Sequence, residues 1–543
     1  MSRPSSFVLA TILIAFLALY GGLPYLKHGL YLDIHEGDTY HLLDILFRMS
    51  EGAVPHEDFM TPLGVVAFAP FLAFMNAGHS AGMSIIFGQL VVGLILLPIA
   101  VYAARTRLSR PVGLYFGLLV VGLAVALTYG GAKAGIAISM FYNRWAWAIA
   151  FLVVVLAFIP PAKEDRAGLE SALIGVLCGA LLMLKVTYFV AVVPAIAVAL
   201  FARCRLKGIL VATLAGGVVL AIATAWLGVA YWPGYLGDLR VVSNNELRPN
   251  VGVPFNVILS GPGFIGGTFV LAFSVFCLRK TGHDSLAVAL LVLAPGLIFI
   301  TYQNFGNDPM WLWLMPVLLL SLRPGAAQSQ VYGFDARRVM EMTAVVALAL
   351  NFPSLYKSTL SNLDHMAFSE ATFVDMLPEG DQGAQDIFVR KGRAYTMTAE
   401  VDLDRTMPDW SKYSDAVERE PLKEIGGTVI DACEWRAGVL GYMETIAERL
   451  QADGVAEGSQ LFVTDVVTSL HFFGPFEPLK GGAPWYYGEL SGLENADYVV
   501  VPKCAVSTRY RGVMIDELAA SDARLEPVSE NALYVLLAVN FSR

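Results

Sequence analysis

Seven carboxylates crowd residues 33–58: Asp33, Glu36, Asp38, Asp44, Glu51, Glu57 and Asp58. Residues 1–356 hold 16 Asp and Glu in all, so an even spread would place about one there. A carboxylate at a membrane surface can take a proton from a hydroxyl or amine as that group attacks an activated carbon. Two together can instead hold a divalent cation against a phosphate leaving group, so a cation is the one cofactor this stretch suits. Glu36, with Asp33 or Asp38, would supply base and electrostatics. Gly37 and the Gly52/Pro55 exit predict tight turns at both ends. Between them Leu42, Leu43, Leu46 and Met49 share a helical face, with Asp44 and Arg48 paired i,i+4 on the other. Such a helix would lie in the membrane interface and hold the acids at headgroup depth.

Other polar residues stand where apolar ones are expected. Lys185 interrupts LLMLKVTYF; it either snorkels to the headgroups or offers a point charge to a phosphate. Arg144, in FYNRWAW, either anchors a helix end beside Trp145 and Trp147 or binds phosphate. Asn304, Asn307 and Asp308 sit among aromatics in TYQNFGNDPMW, a composition suited to sugar recognition and equally to an Asn-Asp-Pro turn.

The elements that must position these groups are membrane helices. Hydrophobic residues make up 56% of the 543-residue chain and charged ones 15%, against about a quarter charged in soluble proteins. The charge divides the chain. Residues 1–356 carry 21 Lys and Arg against 16 acids, a net of about +5, while residues 357–543 carry 16 against 30, about −14. The first part predicts an all-α polytopic membrane domain, the second a soluble acidic α/β domain; that acidity argues against nucleic-acid partners. Apolar runs near 7–25, 62–77, 83–103, 111–129, 145–161, 169–185, 187–202, 208–231, 262–278, 286–302, 310–322 and 339–355 are candidate spans, the first an uncleaved helix. Basic clusters at Arg105–Arg110, Lys163/Arg166, Arg203–Lys207, Arg279/Lys280 and Arg323–Arg338 mark inner turns. The expectation is 11 or 13 crossings in a bacterial-type inner membrane, with the C-terminal domain on the periplasmic side. One conflict stands: two full spans at 62–77 and 83–103 would put Arg105–Arg110 outside. In the exterior domain Leu461–Val467, Tyr498–Pro502 and Leu533–Val539 read as strands and Trp435–Gln451 as a helix. Cys433 and Cys504 lie in that domain and would pair there if it faces an oxidising compartment.

An outward loop reading Glu-Gly-x-x-Tyr, an amphipathic helix, then Gly-x-x-Pro-x-x-Asp-Phe and a Pro-initiated apolar segment resembles the GT-C superfamily. Within it the likeness is to protein O-mannosyltransferases and lipid A aminoarabinose transferases. Glu36, Gly37, Tyr40, Gly52, Pro55, Asp58, Phe59 and Pro62 carry the resemblance. It implies an inverting hexosyl- or pentosyltransferase that takes its sugar from a polyprenyl-phosphate donor in the membrane. It also implies donor or acceptor contacts from Asp58 and Tyr40, and a Lys in the context of Lys185 for the leaving phosphate; His35, Arg144, Asn304 and Asp308 are candidates for substrate contacts on residue type alone. Many members carry Asp directly before the Glu, where this chain has His35. Asp33, Asp38, Glu36 and His35 itself all stay open as the base.

No P-loop, nucleotide glycine pattern, zinc spacing or nucleophile elbow is present, which tells against an ATP-driven pump. A lipid or sugar transporter is the alternative class; transporters place ionisable groups within spans and show repeats, and here the acid lies in a surface loop and no repeat is seen. A non-enzymatic membrane scaffold is the third.

Overall fold

The computed structural model describes residues 4–131, 135–162, 166–244, 255–303, 308–325, 329–378, 385–416 and 421–541. The chain is a multi-pass membrane protein followed by a region of strands and helices. Helix α1 (Ser6–Phe16) continues through tighter and wider turns to Lys27 as the first span. After strand β1 (Leu30–Leu32) come α2 (Glu36–Ser50), α3 (Ala69–Met75), α4 (Ala81–Arg107), α5 (Arg110–Val125), α6 (Phe141–Phe158) and α7 (Ala167–Leu184). Then follow α8 (Val186–Leu227), α9 (Tyr231–Asn244), α10 (Phe255–Ser260), α11 (Pro262–Lys280), α12 (Asp284–Gln303) and α13 (Met315–Leu322). A hairpin of β2 (Gln330–Val331) and β3 (Phe334–Asp335) leads into α14 (Ala336–Leu350) and α15 (Phe352–Ala367).

Among the described residues seven helices are long and apolar enough to cross a bilayer, or eight if α14 and α15, bent by 61°, form one span. The expected 11 or 13 is not met on length alone. Helix α8 is two helices in one, broken at Arg205, whose φ of 56° and ψ of −157° are not helical. The segment expected as a span at 62–77 does not cross. It forms a short turn and the seven-residue α3, about 10 Å long against about 30 Å of hydrocarbon. That correction removes the charge conflict. The first span and α4 become successive crossings, so Arg105, Arg107 and Arg110 lie on the face opposite loop 28–80.

Two packing features fix the interior. Nearly all of α6 is buried, which makes it the central helix. Gly175 on α7 lets that helix touch α8, since a Cβ there would lie 2.0 Å from the Ala212 carbonyl oxygen. On the outer side of α8, Leu206, Leu210, Leu214, Val218 and Ile222 recur every fourth residue and stay exposed, as a lipid-facing stripe requires.

The C-terminal region opens with β4 (Phe373–Asp375), β5 (Ile387–Arg390), α16 (Lys391–Tyr395), β6 (Thr398–Val401), α17 (Leu403–Thr406), β7 (Glu424–Ile425), β8 (Thr428–Val429) and β9 (Cys433–Ala437). It closes with α18 (Val439–Ala452), β10 (Leu461–Val463), β11 (Tyr498–Pro502), β12 (Cys504–Ala505), α19 (Thr508–Ala520), β13 (Ala523–Glu530) and β14 (Tyr534–Phe541). The main sheet runs β10-β11-β14-β13, parallel only between β10 and β11. The expected strands at 461, 498 and 533 are there, the first cut to three residues. The expected helix from Trp435 begins at Val439 instead. Trp435 belongs to β9, and Gly438, at φ 85°, turns the chain into the helix. Cys433 and Cys504 are disulfide-bonded across the parallel pair β9–β12.

The two regions interlock. Strand β1, from the loop after the first span, is an edge of the sheet β1-β5-β4. Helix α15 runs across the expected boundary at 356. Lys27 Nζ donates to the carbonyls of His365 (3.0 Å) and Phe368 (2.5 Å) at the end of α15. The Asp386 carboxylate accepts from the N–H groups of Gly82 (2.9 Å) and Met83 (2.7 Å) and from Ser80 Oγ (2.5 Å). A residue of the C-terminal region thus caps the N-terminus of α4, where the helix dipole favours an anion.

Candidate functional site

Helix α2 forms as its periodicity predicts, but not where its polar face suggests. Leu42, Leu43, Leu46 and Met49 are buried, and so are Asp44 and Arg48. Arg48 Nε donates to Asp44 Oδ1 (2.6 Å) and its Nη1 to the Leu479 carbonyl (2.8 Å). Aromatics of the C-terminal region cover the helix: Phe472 against Phe47, Phe473 against Tyr40, Trp485 against His41. The helix lies under the C-terminal region rather than on an open interface. A surface charge pair and a buried one share the same i,i+4 spacing. The expected turn at Gly37 also moves by two residues. His35 takes the left-handed conformation (φ 62°), a region His tolerates better than most side chains. Gly37 sits in the first turn of α2, where a Cβ would reach Val467 at 3.4 Å.

The three candidate acids face three ways. Asp33 Oδ1 accepts from the Ile136 N–H (2.6 Å), and its Oδ2 lies 3.6 Å from Arg390 Nη2. Glu36 is buried, and its Oε1 accepts from Arg393 Nη2 at 2.8 Å. Glu36 Oε2 has no hydrogen-bond partner among the described residues. Asp38 lies 3.6 Å from His35 Nδ1. Desolvation first, then the nearby Glu36 charge, pushes its carboxyl up to about 6.

From His35 a chain of contacts runs inward. The His35 ring meets the Tyr129 ring edge-on at 4.7 Å. One residue back, the Thr128 carbonyl accepts from Arg144 Nη1. Arg144 is fully buried, and its Nε and Nη2 have no hydrogen-bond partner among the described residues. Beside it on α6, Asn143 Oδ1 accepts from Lys185 Nζ at 2.7 Å. Lys185, at the break between α7 and α8, also lies 5.0 Å from the Tyr142 ring. Asp308 joins from the other side: Ser354 Oγ donates to its Oδ2, and its charge acts on the Tyr129 hydroxyl. His35, Asp38, Tyr129 and Asp308 thus adjoin one another, Arg144 reaches them through the neighbouring Thr128 carbonyl, and Lys185 meets α6 at Asn143, the residue before Arg144.

Other candidates serve elsewhere. Tyr40 is buried and donates to the Met376 carbonyl (3.0 Å), so it ties α2 to the C-terminal region. Asp58 is exposed; its Oδ2 accepts from the Val54 N–H (2.7 Å) and its carbonyl from the Gly481 N–H (3.0 Å). Asn304 and Asn307 lie outside the described residues. Tyr129, Asn143 and Arg393 were not singled out from sequence. Asn143 had a signal, standing next to Arg144, whereas Arg393 lies 357 positions from Glu36 and had none. The buried pair of His56 Nδ1 and Asp238 Oδ2 (2.6 Å), flanked by Tyr231 and Tyr235, was also unforeseen. Among the described residues no three His, Cys, Asp or Glu converge as metal ligands. A cavity of about 890 Å³ opens in the C-terminal region beside α9, with Asp402, Arg405, Lys423, Glu489 and Asp516 among its walls.

No family model matches the chain, and neither a curated protein nor a solved structure matches it.

Proposed function

We propose that the chain is a membrane glycosyltransferase of the GT-C type, moving a sugar from a polyprenyl-phosphate donor to an acceptor on the non-cytoplasmic face. The observation that carries this is Arg144. A guanidinium wholly buried near the outer end of a central helix, with two nitrogens unpartnered among the described residues, is costly unless an anion joins it. Lys185, held one residue away through Asn143, adds a second positive charge. Together they suit the phosphate of a lipid donor at that depth.

In this mechanism the acceptor heteroatom attacks the anomeric carbon. Asp38, beside His35, takes the acceptor's proton, the bond from that carbon to the phosphate oxygen breaks, and the electron pair leaves on the polyprenyl phosphate. Arg144 and Lys185 stabilise the charge that grows there. Attack opposite the leaving group inverts the anomeric centre. His35 stands where related chains carry Asp, and Asp38, three residues on, supplies the carboxylate from the same turn.

The test does not require the sugar to be known. Purified protein is offered polyprenyl phosphate, and retention is read by native mass spectrometry. Wild type is expected to hold it, and Arg144→Gln and Lys185→Gln to lose it by tenfold or more, the scale of one charge-assisted hydrogen bond. Equal retention by all three chains rejects the reading.

A further inference from the structure

On the face opposite the candidate site, a cavity of about 360 Å³ opens where four helix ends meet. Arg107 comes from the end of α4, Ser109 caps the start of α5, Ser321 and Arg323 close α13, and Arg337 opens α14. Leu108 and Leu320 give it an apolar wall.

Among the described residues the arginines of this corner share their carboxylates. Glu341 lies 2.5 Å from Arg323 Nη1 and 3.0 Å from Arg337 Nε, so one carboxylate serves two guanidiniums. Glu170 likewise serves Arg107 (2.6 Å) and Arg203. Among the described residues four guanidiniums thus share two carboxylates. Ser321 Oγ is buried with no hydrogen-bond partner among the described residues. The start of α5 adds its leading N–H groups and the positive end of its dipole.

We infer that this cavity binds the phosphate of an anionic phospholipid headgroup. Arg337 and Arg323 would grip the phosphate, Ser321 Oγ would donate to it, and the buried Arg107 would contribute field. A phosphate suits a guanidinium fork, and the cavity sits at helix ends, where headgroups lie. The apolar wall fits the glycerol and upper acyl carbons better than water. This site is separate from the proposed donor site and does not depend on it.

The full-length protein, delipidated in a neutral detergent, is titrated with phosphatidylglycerol, phosphatidylcholine or inorganic phosphate, and binding is read by native mass spectrometry and by thermal midpoint. Wild type is expected to prefer phosphatidylglycerol to phosphatidylcholine by tenfold or more, with Arg337→Gln losing most of that preference. Glu341→Gln, which releases both arginines, is expected to bind at least as tightly as wild type, a check that survives if Arg337→Gln folds poorly. Full stabilisation by inorganic phosphate alone would overturn the lipid and assign a soluble anion. Equal binding of the two lipids with no response to phosphate, or equal phosphatidylglycerol binding by all three chains, would overturn the site.

Discussion

Asp38 differs from its acidic neighbours in what holds it. Asp33 is bound to the Ile136 N–H and Glu36 to Arg393, whereas the Asp38 carboxylate accepts from its own backbone N–H and lies 3.6 Å from His35. A base must be ionised to act, and Asp38 titrates near 6, above the ordinary Asp value of 3.8. Transfer activity is therefore expected to fall as pH drops through about 6, and Asp38→Asn to abolish it. Stability carries the opposite sign. Because the folded value lies above the unfolded one, the folded state holds the extra proton between about 4 and 6. The ionised carboxylate thus weakens the fold as pH rises through that window. Asp38→Asn is accordingly expected to match or exceed wild type in thermal midpoint at pH 7 while losing activity. A variant that loses both would place Asp38 in the scaffold rather than the chemistry. Lys185, Arg144 and Asp308 were visible in sequence as polar groups in apolar or aromatic surroundings, and His35 as the residue before Glu36 in the acidic stretch. Tyr129 was not, because nothing local marks an aromatic that meets a residue 94 positions earlier.

At the scale of elements, most helices could be read from the chain because a bilayer demands about 20 apolar residues wherever backbone crosses it. The segment at 62–77 passes that test in composition and fails it in shape. Pro62 and Pro70 remove backbone donors, and what remains folds back as α3, where Phe71 packs so closely on α4 that a Cβ at Gly88 would lie 2.4 Å from its ring. Helix α4 in turn depends on a group no local pattern could supply, the Asp386 carboxylate at its N-terminus. Asp386→Ala is expected to cost about 1–2 kcal/mol, read as a lower thermal midpoint. Hydrogen exchange should rise first in residues 80–84. An unchanged midpoint and exchange pattern would mean that water replaces the carboxylate at no cost.

At the scale of the molecule, the C-terminal region packs onto the candidate site rather than standing apart from it. Strand β1 completes its sheet, Arg393 holds Glu36, and Phe472, Phe473 and Trp485 roof α2. The disulfide braces the strands behind that roof and closes 71 residues. Cys433→Ser, or reduction, is expected to destabilise the C-terminal region by about 2–5 kcal/mol. If the roof positions the site, lipid-phosphate retention should weaken in the same variant, while the thermal response to phosphatidylglycerol on the opposite face stays. Composition alone determined that this is a membrane protein with an acidic appended domain, because burial in lipid and solvation in water impose opposite residue contents along a chain. The spacing of Leu42, Leu43, Leu46 and Met49 likewise determined that α2 is a helix. What lay around that helix was decided only by tertiary structure. An i,i+4 charge pair looks the same in water and under a protein roof, and the carboxylate partners are set by residues hundreds of positions away. Which acid stays available for chemistry follows from those distant partners, and local sequence does not encode them.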